Sequence, residues 1–111
     1  TNTAGGVMNI AAGRGTGTAA GGELRLQTSA PTSSGTAAGT LTTRVAISGT
    51  AITASLPIVL QAYTVATLPT GVTGMRAYVT DATAPTYLGA LTGGGAVVCP
   101  VFYNGSAWVS G

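Results

Sequence analysis

Short runs in which apolar and polar residues alternate recur along the chain, and they constrain its fold more than any other feature. In ELRLQT, Leu24 and Leu26 share one side while Glu23, Arg25 and Gln27 share the other. In LTTRVAI, Leu41, Thr43, Val45 and Ile47 lie opposite Thr42, Arg44 and Ala46. A repeat of two is the geometry of a half-buried strand, whose successive side chains point to opposite faces. Further strands are expected in VMNI, AITAS, PIVLQA, MRAYVTD, GAVVCPVFY and SAWVS. The chain reads as all-β.

The closing stretch VFYNGSAWVSG carries the sharpest turn signal. Asn-Gly accepts positive φ at both centres of a type I′ turn, so Asn104-Gly105 predicts a two-residue hairpin joining Val97–Tyr103 to Ser106–Ser110. In that register Tyr103 faces Ser106, Phe102 faces Ala107, and Val101 faces Trp108, which lies over it. One face then carries Val98, Pro100, Phe102, Ala107 and Val109, wholly apolar, and is expected to be core. The other carries Cys99, Val101, Tyr103, Ser106, Trp108 and Ser110 and is expected to be a half-covered surface.

Between the strands lie AAGRGTGTAAGG and TSAPTSSGTAAGT. Such compositions are disordered as isolated linkers. Small residues also suit a place where several strands crowd around one axis, because they permit close backbone approach. Residues 1–55 are therefore read as a thin, interwoven β stem, 56–62 as a connector, and 63–111, with denser aromatics and clearer hairpins, as a small antiparallel β head. GRGTGTAAGG matches neither glycine pattern of a phosphate-binding loop and has no lysine, so a Gly-rich crossover is the reading taken.

Composition says how such strands find a core. Hydrophobic residues make up 45% of the 111, but only 5% are aromatic, and 18 are glycine. Small side chains gain little at about 25 cal/mol per Å² buried, while each ordered residue costs roughly 1–2 kcal/mol of backbone entropy. The charged residues are Arg14, Glu23, Arg25, Arg44, Arg76 and Asp81, 5% of the chain, so the surface is either hydrated by hydroxyls or buried against copies. An obligate oligomer satisfies both observations. Glu23, Arg25 and Arg44 are expected in surface or interchain pairs.

Several function classes fall away. The four arginines are scattered, which argues against a nucleic-acid surface. The apolar runs LPIVL and AVVCPVFY are far shorter than the ~20 residues of a membrane-spanning helix, so no membrane insertion is expected. No signal peptide is read, and TNTAGG is expected to be a cut from a longer polypeptide. With no histidine or lysine, serine and cysteine nucleophiles have no side-chain base of those kinds, and the lone Cys99 has no partner for a disulfide within the chain. Glu23 and Asp81, the two carboxylates, fall in different halves, which disfavours glycoside cleavage. Neither enzyme activity nor a cofactor nor a metal is expected. What remains is binding through aromatic and polar side chains, and the candidate ligand-binding residues are Tyr78, Tyr87, Tyr103, Asn104 and Trp108. For each taken singly, packing within the head is the plainer reading.

The run from Leu60 to Gly111 resembles the carboxy-terminal module of tail fibre and tailspike proteins of tailed bacteriophages. Such modules often read YTVATLP, a strand ending VTDA, a triple-glycine turn, PV-aromatic, (D/N)G(S/T) and Trp. Here the matching positions are Tyr63–Pro69, Val79–Ala82, Gly93–Gly95, Pro100–Phe102, Asn104–Ser106 and Trp108. The preceding Gly/Thr-rich run is similar to the repeats that come before such modules. The resemblance implies a homotrimeric, intertwined β fibre, carried on a virion assembled in the bacterial cytoplasm. Its implied partner is a bacterial surface polysaccharide or outer-membrane receptor. Comparable modules instead hold the trimer in register or cap the fibre.

Overall fold

The computed structural model describes residue 1, residues 3–32, residue 35 and residues 37–111. The chain is all-β; the described residues form two sheets and one 3-10 turn and divide into two units, Thr1–Ile58 and Val59–Gly111. Among the described residues no helix is long and apolar enough to cross a membrane.

In the first unit, β1 (Leu24–Ser29), β2 (Leu41–Ile47) and β3 (Ile52–Ala54) form an antiparallel meander. The β2–β3 turn is tied by Ser48, whose Oγ accepts the amides of Thr50 and Ala51 at 3.3 and 3.2 Å. Leu24 pairs with Ile47 and Leu26 with Val45, but Gln27 then pairs with Thr43, so Arg44 is an extra residue in the ladder. This bulge changes the expected faces. Leu24, Leu26, Val45 and Ile47, with Ile52 and Ala54 beyond them, share one apolar face, whereas Leu41 and Thr43 pass to the other. The free carbonyls at the bulge are taken up by Ser55, whose amide donates to Arg44 O at 2.9 Å and whose Oγ donates to Thr43 O at 2.9 Å.

Arg25 pairs with Glu23 at 2.7 Å on the sheet's surface, and Arg44 donates to Thr28 Oγ1 at 2.9 Å. No described residue of this unit is buried. The strand expected in VMNI does not form: Val7, Met8 and Ile10 are exposed and pair with nothing among the described residues. A strand needs an edge to complete its hydrogen bonds, and none reaches this segment. Within one chain the Gly-rich stretch closes on itself, with Gly22 N donating to Gly13 O at 2.7 Å. The tract TSAPTSSGTAAGT includes residues 33, 34 and 36, which lie outside the described residues.

In the second unit, β4 (Ala62–Tyr63), β5 (Arg76–Ala82), β6 (Val97–Tyr103) and β7 (Trp108–Ser110) lie side by side in that order. The expected antiparallel sheet is in fact mixed, because β4 runs parallel to β5. A parallel pair needs a crossover of about a dozen residues, which Thr64–Met75, containing the 3-10 turn Val65–Thr67, supplies. Of the expected PIVLQA strand only Ala62 is paired. The core consists of Ala77, Val79, Ala82, Cys99 and Val101, against which Tyr63, Val65, Leu68, Leu91 and Trp108 pack.

That cluster lies on the opposite side of β6 from the one expected, although Val109, which pairs with Phe102 on the expected side, is buried as well. Cys99 and Val101 are buried, whereas Val98 is 65% exposed and Pro100 is exposed. The physical reason is the partner strand: Val79 and Ala77 stand opposite Cys99 and Val101, and the crossover folds over their side.

The closing hairpin also differs in register. Tyr103 pairs with Trp108, Phe102 with Val109 and Val101 with Ser110, so four residues rather than two make the turn. Asn104 causes the change. Its Oδ1 accepts the amides of Ser106 and Ala107, both at 2.9 Å, while its own amide donates to Ala107 O at 3.1 Å. Only Gly105, at φ 103°, takes positive φ within the turn, so the geometry is not type I′.

Candidate functional site

Tyr103, Asn104 and Trp108 come together at the turn end of the β6–β7 hairpin. The rings of Tyr103 and Trp108 meet edge to face, with centroids 5.6 Å apart and planes at 72°. Trp108 Nε1 donates to the carbonyl of Pro69 at 2.9 Å, and Tyr103 Cδ2 lies where a side chain on Gly71 would begin. The backbone of Tyr103 is held as well, its amide donating to Met75 O at 2.9 Å and its carbonyl accepting Gly74 N at 2.8 Å. Both rings are half-buried. Trp108 thus covers the core, as the sequence suggests, although its cross-strand partner is Tyr103 and not Val101.

The other two candidates lie apart. Tyr78 sits on β5 between the buried Ala77 and Val79, so its side chain belongs to the opposite face of the sheet, where it stands across from Pro100. Arg76, one pair further along, lies over the Phe102 ring at 5.9 Å. Tyr87 is 85% exposed in the Thr83–Leu91 connection, near Gly111. This connection borders β7: Leu88 N donates to Ser110 O at 2.7 Å and Ser110 N to Gly89 O at 3.1 Å. Ser110 Oγ adds a bond to Thr86 O. The five residues therefore do not converge on one site.

Sequence reasoning missed two organising residues. Asp81 accepts Val65 N on Oδ1 at 2.8 Å and Gly94 N on Oδ2 at 3.4 Å, so one carboxylate holds both the 3-10 turn and the triple-glycine turn. Its backbone carbonyl accepts Gly95 N at 2.8 Å. Gly71 is the other, since any side chain there would meet the Tyr103 ring. The signal for Asp81 was its place as a lone acid ending an apolar alternation; for Gly71 there was none beyond a glycine in a loop.

Chemically, the hairpin end presents aromatic edges, and the indole N–H of Trp108 and Oδ1 of Asn104 are already committed within the chain. Tyr87 is the most exposed of the four aromatic candidates, and none of the hydrogen bonds among the described residues uses its hydroxyl. No pocket opens among the described residues. No protein family, curated protein or solved structure matches the chain.

Proposed function

We propose that the chain is the terminal part of a tailed-bacteriophage tail fibre, a homotrimer that attaches to the host cell surface with a surface glycan as ligand. The observation that carries this reading is that the motifs of the resemblance engage one another. Asp81 of VTDA holds Val65 of YTVATLP and Gly94 of the triple glycine; Pro69, which closes YTVATLP, accepts the indole of Trp108. Motifs scattered over half the chain thus act as one module. The thin core adds support, because small side chains alone give a protomer little independent stability.

A second reading, a trimerisation and capping module with the receptor site elsewhere on the fibre, is favoured by one observation. Asn104 Oδ1 and Trp108 Nε1 spend their directed contacts on their own chain, and the Tyr103 ring packs edge to face on Trp108.

Sedimentation equilibrium tests the assembly: the expected mass is about three times the 10.7 kDa chain, with an unfolding temperature that rises with concentration. A monomer that unfolds at a concentration-independent temperature refutes it. Binding to bacterial envelope fractions separates the two readings. Saturable binding supports attachment, and a trimer that binds no envelope supports capping.

A further inference from the structure

Tyr87 stands out from the second unit on a loop that is otherwise fastened down. Thr83–Leu91 runs beside β7, where Leu88 N donates to Ser110 O at 2.7 Å, Ser110 N donates to Gly89 O at 3.1 Å, and Ala90 bridges Val109. Within the loop Gly89 N donates to Thr86 O at 2.8 Å, and the same carbonyl accepts the hydroxyl of the buried Ser110. A side chain on Gly89 would collide with Thr86 Oγ1, so the chain closes tightly just after Tyr87. On this pinned loop Tyr87 is 85% exposed, and the adjoining Leu88 is exposed as well.

The backbone on either side is one that few side chains adopt. Ala84 stands at φ 42° and Leu88 at φ 56°, both in the left-handed region, and among the described residues they are the non-glycine positions there. Such conformations persist only where surrounding bonds over-determine them, and they collect at ligand-binding segments. Burial of Tyr87 does not offset the cost, because its ring faces solvent. We infer that the Thr83–Leu91 loop is the glycan contact, with the Tyr87 ring stacking on the face of an uncharged sugar, an assignment that rests on the attachment reading and adds to it the loop and the class of sugar.

The chemistry of the loop selects that ligand. No hydrogen bond among the described residues uses the Tyr87 hydroxyl or its peptide N–H and C=O, so donors and acceptors stand free beside the ring. A sugar offers the matching surfaces, C–H groups on its faces and hydroxyls around its rim. From Ala82 to Gly111 the sequence has no Asp, Glu, Lys or Arg. The ionised side chains of the second unit are engaged elsewhere, Asp81 with the Val65 and Gly94 amides and Arg76 over the Phe102 ring. No side chain of the loop therefore pairs with the carboxylate of an acidic sugar. Size argues against a protein partner: a stable protein contact takes roughly 800 Å² from each side, several times the roughly 150–250 Å² of one aromatic side chain, whereas a single sugar ring is of that smaller size.

Titration of the full chain tests the assignment, using glycans released from bacterial envelope fractions and separated by anion exchange into neutral and acidic pools. The neutral pool is expected to bind more tightly than the acidic one, to shift the amide resonances of Tyr87 and Leu88, and to lose little affinity as salt is raised. Tyr87→Ala should weaken that binding by about tenfold or more, as loss of a central aromatic contact does. Tyr87→Phe keeps the ring and should cost about threefold, for one hydroxyl. Near-ultraviolet circular dichroism of the Tyr103–Trp108 pair checks that each variant is folded. Should Tyr87→Ala lose that signal, the shift map of the parent decides: changes centred on Tyr87 support the assignment, and changes centred elsewhere overturn it.

Three further outcomes overturn the assignment and leave attachment standing. They are neutral binding that folded Tyr87→Ala leaves unchanged, acidic binding as tight as neutral, and binding to intact envelope but to neither pool. A Tyr87→Ala chain that keeps envelope binding yet needs more protein to assemble overturns it too, giving the loop to a contact between copies. A parent that binds neither pool nor intact envelope refutes attachment and this assignment with it.

Discussion

Trp108 donates its indole N–H to the carbonyl of Pro69, 39 positions earlier, and so closes the second unit around its small core. Truncation to Trp108→Ala removes both the ring that packs against the core and that bond. A loss of about 3 kcal/mol in unfolding free energy is expected, the lower end for aromatic truncation because the ring is half-buried. Trp108→Phe keeps most of the packing and costs about 1 kcal/mol through the unpaired carbonyl. Denaturant unfolding measures both. If Trp108→Ala is as stable as the parent while envelope binding is lost, Trp108 is a ligand platform and the core-cover assignment is wrong.

Gly71 and Tyr103 are predicted to be coupled. Gly71→Ala places a methyl where the Tyr103 ring lies, so a destabilisation of about 1–3 kcal/mol is expected from overpacking. Tyr103→Ala clears that space, and in the double variant the Gly71→Ala increment should nearly vanish. A double-mutant cycle in which the two costs simply add shows that the ring does not rest there.

Asp81 supports two loops at once, and its variants should separate them. Asp81→Ala unties Val65 N and Gly94 N together, with an expected cost of about 2 kcal/mol. Asp81→Asn keeps one acceptor oxygen and loses about half as much. Amide hydrogen exchange gives the direct readout: protection at Val65 and Gly94 falls in both loops in Asp81→Ala and in one loop only in Asp81→Asn. Unchanged protection at both amides in Asp81→Ala contradicts the assignment.

The closing turn makes a conformational prediction. Gly105 stands at φ 103°, where a β-branched side chain is sterically disfavoured, and a Cβ there would lie 3.0 Å from Thr73 Oγ1. Gly105→Val should cost about 2 kcal/mol, consistent with the strain of a disfavoured backbone region. Asn104→Ala should cost about 1 kcal/mol by freeing the Ser106 and Ala107 amides, which an undistorted type I′ turn would not require of it. Equal stability of Asn104→Ala and the parent argues for the two-residue turn.

Where strands form was legible in the alternation: β1, β2, β5 and β6 fall within or next to the stretches read as strands. Which side each strand buries was not. Period two separates Val98, Pro100 and Phe102 from Cys99 and Val101, but coverage depends on Ala77 and Val79 across the ladder and on a crossover that no local pattern announces. The turn error is of another kind. Moving the pairing of Tyr103 from Ser106 to Trp108 is a shift of two residues, which leaves every side chain on its original face and so leaves no trace in the pattern. At Arg44 the pattern was misleading, because an extra residue exchanges the faces on either side of it.

The candidate site was legible only as residue types. Tyr103, Asn104 and Trp108 were close in sequence and stay close in space, whereas Tyr78 and Tyr87 were linked to them by chemistry alone. Asp81 escaped because its bonds run to backbone amides, which have no signature of their own in the chain.

The smallness of the core in the second unit has a calorimetric consequence. Apart from Val79 and Val101, the residues buried in its cluster are two alanines and a cysteine, so unfolding one protomer exposes little apolar surface to water. Hydration of that surface is what makes the heat capacity rise on unfolding, ordinarily by about 12–15 cal/mol/K per residue. A protomer separated from its copies should fall below that range and show a shallow stability curve against temperature. Assembly that buries further apolar surface between copies would deepen the curve, so its curvature registers how much of the core is shared between chains.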